Sequence, residues 1–352
     1  MAFLSCLSCL QRPEEEVTEL DYRHCSLEDV PNDVFVYERT LEVLHLDSNN
    51  IKDLPRPLFH CHGLRRLGLA DNEIGSLPPA IASLGQLVSL DVSRNVLTDI
   101  PETIKQCKML AVLEASVNPL QRIPEGCTQL VSLTELYLND VFLEYLPANF
   151  GRLAKLQILE LRENSLNSLP KSMARLVNLT RVDLGQNQFA EVPEVLENMV
   201  GLKELWMDGN RLTHLPPFIG ELTSLSHLDL SFNQLRSLVP ELGHCRQLQD
   251  LTLSSNDLNT LPESLGLLEN LITLKLDDNQ LEMLPEHLGK MASLEELFCG
   301  ENFLTSLPPS IGWLRNLHTL NVDENDLEEL PPEIGSCKNM KILSVHGNKL
   351  TG

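Results

Sequence analysis

The sequence predicts an α/β fold in which a 23-residue unit repeats along the chain as a solenoid. Three observations predict it: an asparagine recurs every 23 residues, a proline keeps the same interval, and leucines alternate just before each asparagine. A repeat array can exceed the length at which a single core stops growing, because each unit buries its apolar face only against its neighbours. The asparagine column consists of Asn49, Asn72, Asn95, Asn118, Asn164, Asn187, Asn210, Asn233, Asn256, Asn279, Asn302, Asn325 and Asn348.

Each unit follows the pattern LxxLxLxxNxLxxLPxxIxxLxx, which is that of a leucine-rich-repeat solenoid. The LxLxx portion alternates and predicts a short strand, with Leu44 and Leu46 pointing inward in the first full unit. Stacked strands form one parallel sheet on the concave face of a horseshoe, and fifteen of them would span roughly 70 Å of arc. The proline fixes φ where the chain turns, which predicts short helical or irregular limbs on the convex side.

The asparagine column has a structural explanation. The backbone leaves the strand inside the solenoid, where an amide side chain can both donate and accept hydrogen bonds between adjacent units. Val141 interrupts the column, so we expect a local irregularity there. Val239 interrupts the proline column, where the proline stands one residue later as Pro240.

The two ends of the array differ from its middle. Residues 17–40 form an atypical unit 24 residues before the next, and we interpret it as an N-terminal cap, because a terminal unit must face water on one side. In it, Val17, Leu20 and Tyr22 take strand positions, Cys25 the asparagine position and Pro31 the proline position. The solenoid is expected to cover residues 17–352, after a flexible segment over residues 1–16. No C-terminal cap follows the last strand, which predicts a shortened form or a piece of a longer protein.

Seven of the nine cysteines fall on columns of the repeat. They are expected to be buried, inert thiols, and they are Cys25, Cys61, Cys107, Cys127, Cys245, Cys299 and Cys337. Cys6 and Cys9 lie outside the register, in a short apolar segment. Reversible S-acylation explains this pair better than a metal or redox site, since no second ligand pair follows. An unmodified N-terminal tail remains the alternative.

Acidic residues are concentrated on the predicted concave lining. The chain carries a formal charge of −23, from 50 acidic and 27 basic residues, which argues against nucleic acid as a partner. Aromatic residues occur among the acids, and such rings are typical interface anchors. We therefore predict a concave site for a basic or mixed peptide or protein surface, with solvation of the sheet as the alternative reading of the same residues. The candidate residues are Asp91, Glu114, Glu135, Tyr137, Glu160, Arg162, Asp183, Glu204, Trp206, Asp208, Asp229, Phe232, Asp250, Lys275 and Phe298.

The sequence contains no catalytic machinery that we recognise. Phosphate-binding loops, dinucleotide fingerprints, HExxH and G-x-S-x-G are all missing, so no enzyme, no cofactor and no metal site is predicted. No apolar run is long enough to cross a membrane, and the N-terminal segment lacks the features of a secretory signal. Paired capping cysteines are also missing, which favours a reducing, cytoplasmic location over an extracellular recognition domain.

Several stretches resemble the LAP family (leucine-rich repeats with PDZ domains), and most closely the branch that contains erbin and densin. These are the C-x-x-C start followed by EEEVTELDYRHCSLEDVP, then EASVNPL, VPEVLENMVGLKELWMDGNRL and IGSCKN. The resemblance implies a scaffold at the basolateral plasma membrane and cell junctions that organises apical–basal polarity and localises receptors. It also implies acylation of Cys6 and Cys9, which match the N-terminal cysteines of the family in position. No PDZ domain is present in the sequence. A cytosolic Ras-pathway adaptor of the leucine-rich-repeat type is the alternative function.

Overall fold

A single parallel sheet runs through the whole described molecule. The computed structural model describes residues 16–351, and its fifteen strands pair in chain order. The strands are three residues long: β1 Glu19–Asp21, β2 Val43–His45, β3 Arg66–Gly68, β4 Ser89–Asp91, β5 Val112–Glu114, β6 Glu135–Tyr137, β7 Ile158–Glu160, β8 Arg181–Asp183, β9 Glu204–Trp206, β10 His227–Asp229, β11 Asp250–Thr252, β12 Thr273–Lys275, β13 Glu296–Phe298, β14 Thr319–Asn321 and β15 Ile342–Ser344.

Short helices return the chain from one strand to the next. The first return contains an α-helix, α1 Asp33–Val36, and the later ones contain 3-10 helices. These are Arg56–His60, Pro79–Ser83, Glu102–Gln106, Glu125–Gln129, Phe150–Arg152, Lys171–Arg175, Glu194–Asn198, Pro217–Glu221, Pro240–His244, Glu263–Leu267, Glu286–Lys290, Pro309–Trp313 and Pro332–Ser336. The predicted leucine-rich-repeat solenoid with a parallel sheet and short helical limbs is confirmed.

The strand register reproduces the sequence period. Leu44 pairs with Leu67, and the 23-residue offset holds from β2 to β15. Between β1 and β2 the offset is 24, since Leu20 pairs with Leu44. The middle residue of a strand faces the core while its neighbours face outward, so Leu44 is buried between the half-buried Val43 and His45. The sheet therefore has one core face and one open face, which we call the concave face.

Proline sets the start of most return limbs. Pro101 has φ −68° and ψ 143°, and the 3-10 helix Glu102–Gln106 begins immediately after it. Val239 adopts nearly the same geometry, φ −76° and ψ 141°, with Pro240 as the first helical residue. The shift of the proline therefore leaves the turn unchanged, because an extended residue before proline is favoured in any case.

The asparagine side chains join neighbouring units. The Oδ1 atom of Asn95 accepts a hydrogen bond from the Ile74 N–H at 3.0 Å, and its Nδ2 donates to the carbonyl oxygens of Leu69 and Val92. The same pattern recurs along the column, and the asparagines are nearly all buried. Each buried group left unpaired would cost about 1–3 kcal/mol, so the column stabilises the stack. The structural role predicted for these asparagines is confirmed.

The predicted irregularity at Val141 is also confirmed. Without an amide at this position, the Leu120 N–H donates to the Asn118 carbonyl, and the Gln121 N–H donates to the Val141 carbonyl. Gln121 and Phe142 both have φ near +60°, in addition to the positive φ that precedes each asparagine position. The 3-10 helix that follows, Phe150–Arg152, is three residues long where the others have five.

Six of the seven in-register cysteines are buried as predicted, and the prediction for Cys25 was wrong. Burial raises the pKa of Cys107 to about 11 and that of Cys245 to about 12, so both stay protonated at neutral pH. Cys25 is exposed, with its thiol directed at the Arg23 carbonyl. In later units the asparagine amide donates to a carbonyl oxygen of the preceding unit, 26 residues earlier, and this bond keeps the side chain inside the solenoid. Within the described range, no unit precedes β1 to supply such an acceptor for Cys25. Cys6 and Cys9 lie outside the described residues.

Candidate partner-binding site on the concave face

The candidate residues predicted for partner binding lie together on the concave face. Arg162, Asp208 and Phe232 follow the ends of strands, and the other candidates occupy outward strand positions. The parallel register aligns those at the third strand position into one continuous row. This row consists of Asp91, Glu114, Tyr137, Glu160, Asp183, Trp206 and Asp229, and beyond Thr252 it continues with Lys275 and Phe298.

Arg162 ties three successive units together in the middle of the face. Its Nη1 lies 2.9 Å from Asp208 Oδ1 and 3.3 Å from Asp183 Oδ1, and its Nη2 bonds the second oxygen of Asp208. Asp208 is buried, and the hydrogen bonds that Arg162 donates to it raise the pKa of Arg162 further above its ordinary value. A forked, charge-assisted pair of this kind is among the stronger polar interactions in proteins.

Gly185 makes the reach of Arg162 possible. Arg162 and Asp208 are 46 residues apart, so the guanidinium passes over the unit between them. A Cβ at residue 185 would overlap both Arg162 Nη1 and Asp208 Oδ1. The local sequence VDLGQN therefore places Asp183 at the end of a strand and Gly185 just after it, and the missing side chain of Gly185 leaves room for the pair of Arg162 and Asp208.

A second arginine organises the aromatic part of the same region. Arg181 Nη2 lies 2.9 Å from Glu160 Oε1, and Nη1 lies 3.3 Å from Glu204 Oε2. The guanidinium also stacks over Trp206, 4.7 Å from the ring centroid, and His227 lies 4.7 Å from the Trp206 ring centre as well. The indole is therefore already in contact with a cation and an imidazole, and it offers a partner only its remaining surface.

We call the surface of β7–β9 and the residues that follow these strands the bridged section, because Arg162 and Arg181 join its acids.

The adjoining surface of β4–β6 differs. Asp91 accepts hydrogen bonds from Ser93, Glu114 from the Ser116 N–H at 2.8 Å, and Glu135 from the Tyr137 hydroxyl at 2.8 Å. Within residues 16–351, no lysine, arginine or histidine forms an ion pair with any of these three carboxylates. We call this surface the unbridged section.

Burial and neighbouring charge shift the pKa of two groups in the unbridged section. Burial raises the pKa of Glu114, and the negative charges of Asp91 and Glu160 add to that rise. Burial and the neighbouring Glu135 raise the pKa of Tyr137, so its hydroxyl stays protonated and serves as a donor. A cation placed here would therefore relieve repulsion between carboxylates that the protein itself leaves uncompensated.

The candidates beyond β9 are more dispersed. Asp229 bonds Ser231, and Asp250 lies 3.9 Å from His227 Nδ1. Lys275 lies over the ring of Phe298, 5.8 Å from its centroid. Phe232 is 62% exposed, which makes it the most exposed aromatic of the candidate set.

The predicted set omitted two residues that the structure places at the centre. They are Arg181 and His227. Both occupy the first position of a strand, so the register that selected Glu135 and Glu204 also selects them. The stack of Arg181, Trp206 and His227 could therefore have been predicted by applying the 23-residue register to basic residues and histidines as well as to acids and aromatic residues.

Over residues 16–351, no group of three or more histidines, cysteines, aspartates and glutamates is placed to hold a metal ion. In that same range, no helix combines the length and the apolar character needed to span a membrane.

Comparison with known proteins identifies the family. The model of the family described as "Leucine rich repeat" matches residues 15–74, 131–189 and 200–258. The chain belongs to the leucine-rich repeat family. Among solved structures, an LRR protein of Leptospira interrogans superposes with a TM-score of 0.80 at 28% identity, covering 93% of this chain and 96% of that one.

Two curated relatives confirm the resemblance to the LAP family over a short stretch. Human erbin is 56% identical over 59 residues, which are 17% of this chain and 4% of erbin. Leucine-rich repeat-containing protein 7 of Rattus norvegicus is 56% identical over 63 residues, 18% of this chain and 4% of that protein. The alignments thus cover a small part of either relative.

Proposed function

We propose that this chain is a protein-binding scaffold whose concave face receives a basic or mixed segment of a partner protein. The unbridged section carries the proposal. Asp91, Glu114 and Glu135 lie on adjacent strands beside Tyr137, and no basic side chain of the described residues pairs with them. Leucine-rich-repeat solenoids present extended concave surfaces of this kind to their partners.

The position of the acids favours a cationic side chain over a small ligand. Neighbouring strands are about 4.8 Å apart, so Asp91 and Glu114, at the same position of adjacent strands, are close enough for one lysine or arginine head to contact both. Tyr137 adds a ring face against which a guanidinium or ammonium group can pack. The bridged section then acts as a rigid border, because Arg162 and Arg181 already hold its acids in place.

Binding of a defined probe tests the proposal. A fluorescein-labelled peptide of alternating lysine and serine should bind the full chain, and its glutamate counterpart should not. The triple variant Asp91→Asn, Glu114→Gln, Glu135→Gln should weaken binding of the lysine peptide by about tenfold at low salt. The loss should shrink as salt screens the charges.

The control variant changes net charge by the same amount elsewhere. Glu194→Gln, Glu197→Gln, Glu221→Gln removes three exposed acids from the return limbs. It should alter affinity by less than about twofold, because distant exposed charges are screened. Equal losses in both triple variants would contradict a concave site and leave only a general attraction to an acidic protein.

The cellular setting that we propose follows from the LAP resemblance. The chain would act at the cytoplasmic side of the basolateral plasma membrane and at cell junctions, in the organisation of polarity and the localisation of receptors. Acylation of Cys6 and Cys9 would provide the membrane attachment, since two acyl chains give stable anchoring where one is marginal.

Metabolic palmitate labelling tests the attachment. The double variant Cys6→Ser, Cys9→Ser should lose labelling and move from the membrane fraction to the soluble fraction of epithelial cells. Cys25→Ser is the control, because Cys25 is exposed yet belongs to the repeat. Unchanged labelling in the double variant would refute acylation at this pair. A wild-type chain found wholly in the soluble fraction would favour the cytosolic adaptor.

A further inference from the structure

An apolar strip lies on the flank of the solenoid, beyond the ends of the strands. Val96, Pro119 and Phe142 occupy the same place in three successive units, directly after the asparagine column, and Tyr145 follows Phe142 by three residues. Phe142 and Tyr145 are each 59% exposed and Val96 is 53% exposed. The next units on either side carry Glu73 and Ser165 at this place, so the strip is bounded. We call these four residues the lateral strip.

The backbone conformation at Phe142 is unfavourable for an aromatic residue. Its φ of +60° belongs to the left-handed region, which disfavours a side chain with a Cβ, and it lies outside the position where the other units have a positive φ. The conformation arises because Val141 lacks the amide that shapes the other units. Glycine or asparagine would suit this backbone better, yet the chain places an aromatic ring there, largely in solvent. Strain combined with an exposed anchor points to a use for the ring.

The surface beside Tyr145 is mainly acidic. Tyr145 lines a cleft together with Pro124 and Pro147, and the charged groups that share the cleft are Asp99, Glu102, Glu125 and Arg122. Glu144 is exposed between Phe142 and Tyr145. The surface therefore combines apolar anchors with a net negative rim, which complements a partner that carries apolar residues among basic ones.

We propose that the lateral strip docks a basic amphipathic helix of a partner protein. Successive units are about 4.8 Å apart, and one turn of an α-helix rises 5.4 Å. Apolar residues one turn apart on a helix lying along the strip thus meet Val96, Pro119 and Phe142 in succession. Alternate residues of an extended strand are about 6.6 Å apart and fall out of step over the same distance. This surface is separate from the concave site and does not depend on it.

A designed helix serves as the probe. It is a fluorescein-labelled peptide of about four turns with leucine at every third or fourth position and lysine elsewhere. A scrambled peptide of the same composition has no apolar face, and a third peptide alternates leucine and lysine as an extended strand. Binding is measured on the full chain carrying Asp91→Asn, Glu114→Gln and Glu135→Gln, so that the concave site does not contribute.

The key variant removes the two rings without straining the fold. The double variant Phe142→Asn, Tyr145→Ser should bind the helical peptide about tenfold more weakly. The midpoint of urea unfolding for Phe142→Asn alone should stay equal or rise. Trp313→Ser is the matched control, because Trp313 is 61% exposed on a return limb and should leave affinity unchanged.

Three results would overturn the proposal. One is undiminished binding by the Phe142→Asn, Tyr145→Ser variant. Another is equal or tighter binding of the scrambled or extended peptide, which would assign the strip to a different occupant. The third is concentration-dependent dimerisation of the chain that the same variant abolishes, which would make a second copy the occupant. If the triple variant Asp91→Asn, Glu114→Gln, Glu135→Gln still bound the lysine–serine peptide with full affinity, the result would contradict only the proposal for the concave face.

Discussion

The bridged and unbridged sections of the concave face differ in how their acids are compensated. Both present carboxylates from the same two outward strand positions in neighbouring units. In the bridged section, Arg162 and Arg181 join acids from different units into one network. In the unbridged section, the acids accept hydrogen bonds only from serine and tyrosine neighbours. An acidic column in the sequence therefore yields two surfaces with different properties.

The difference separates charge that holds the protein together from charge that is available to a partner. Breaking a compensated network leaves partly buried charges unpaired, so substitutions in the bridged section should lower stability. Carboxylates that repel one another gain from an incoming cation, so substitutions in the unbridged section should mainly lower affinity. Three substitutions test this division.

Gly185→Ala should give the largest effect, a loss of about 1–3 kcal/mol in the free energy of unfolding. The added methyl would occupy the space of Arg162 Nη1 and Asp208 Oδ1, and the pair would have to open. Urea unfolding measures the loss. Affinity for the lysine–serine peptide should change by less than about twofold, because the unbridged section is untouched.

Gly75→Ala is the matched control for the glycine substitution. A Cβ at this exposed residue would meet no atom within 4 Å, and its φ is not positive. Its effect on unfolding should stay within about 0.5 kcal/mol. If Gly185→Ala were equally mild, the Arg162–Asp208 pair would not stabilise the bridged section.

Arg181→Gln should give an intermediate effect, a loss of no more than about 1 kcal/mol. The side chain is partly exposed, so solvent screens its pairs with Glu160 and Glu204. The clearer readout is fluorescence. In a Trp313→Phe background Trp206 is the only tryptophan, and loss of the stacked guanidinium should expose the indole and shift the tryptophan emission to the red. An unchanged spectrum would show that Arg181 does not cover Trp206 in solution.

The sequence predicted the parts of this fold that repeat. The asparagine ladder, the strand register and the irregular unit at Val141 follow from local chemistry that recurs or visibly fails at a known position. The burial predicted for Cys25 was wrong because the unit of β1 has no preceding neighbour among the described residues to accept a hydrogen bond from this position. The repeat pattern therefore predicts burial reliably only for units that have a neighbour on each side.

The division of the concave face was beyond the sequence for a different reason. The columns correctly placed Arg162, Asp183 and Asp208 on one surface. Which acid the arginine selects depends on the absence of a Cβ at Gly185 and on a reach across two units. Side-chain direction of that kind is set by three-dimensional packing, so charge composition alone could not separate the two sections.

Glu114→Gln should give the smallest effect, a gain of a few tenths of a kcal/mol at neutral pH. Burial and the negative charges of Asp91 and Glu160 raise the pKa of Glu114, so the folded state binds this proton more tightly than the unfolded state does. Its contribution to stability is therefore greatest below the ordinary glutamate pKa and is lost as pH rises through the raised value. Glutamine does not ionise, so the variant should exceed the parent in urea midpoint at pH 7 and match it near pH 4. Glu42→Gln, at an exposed glutamate, corrects for the general benefit of removing one negative charge from an acidic chain. If Glu114→Gln gained no more than Glu42→Gln at pH 7, the carboxylates of the unbridged section would not repel one another, and the contrast between the two sections would rest on the arginines alone.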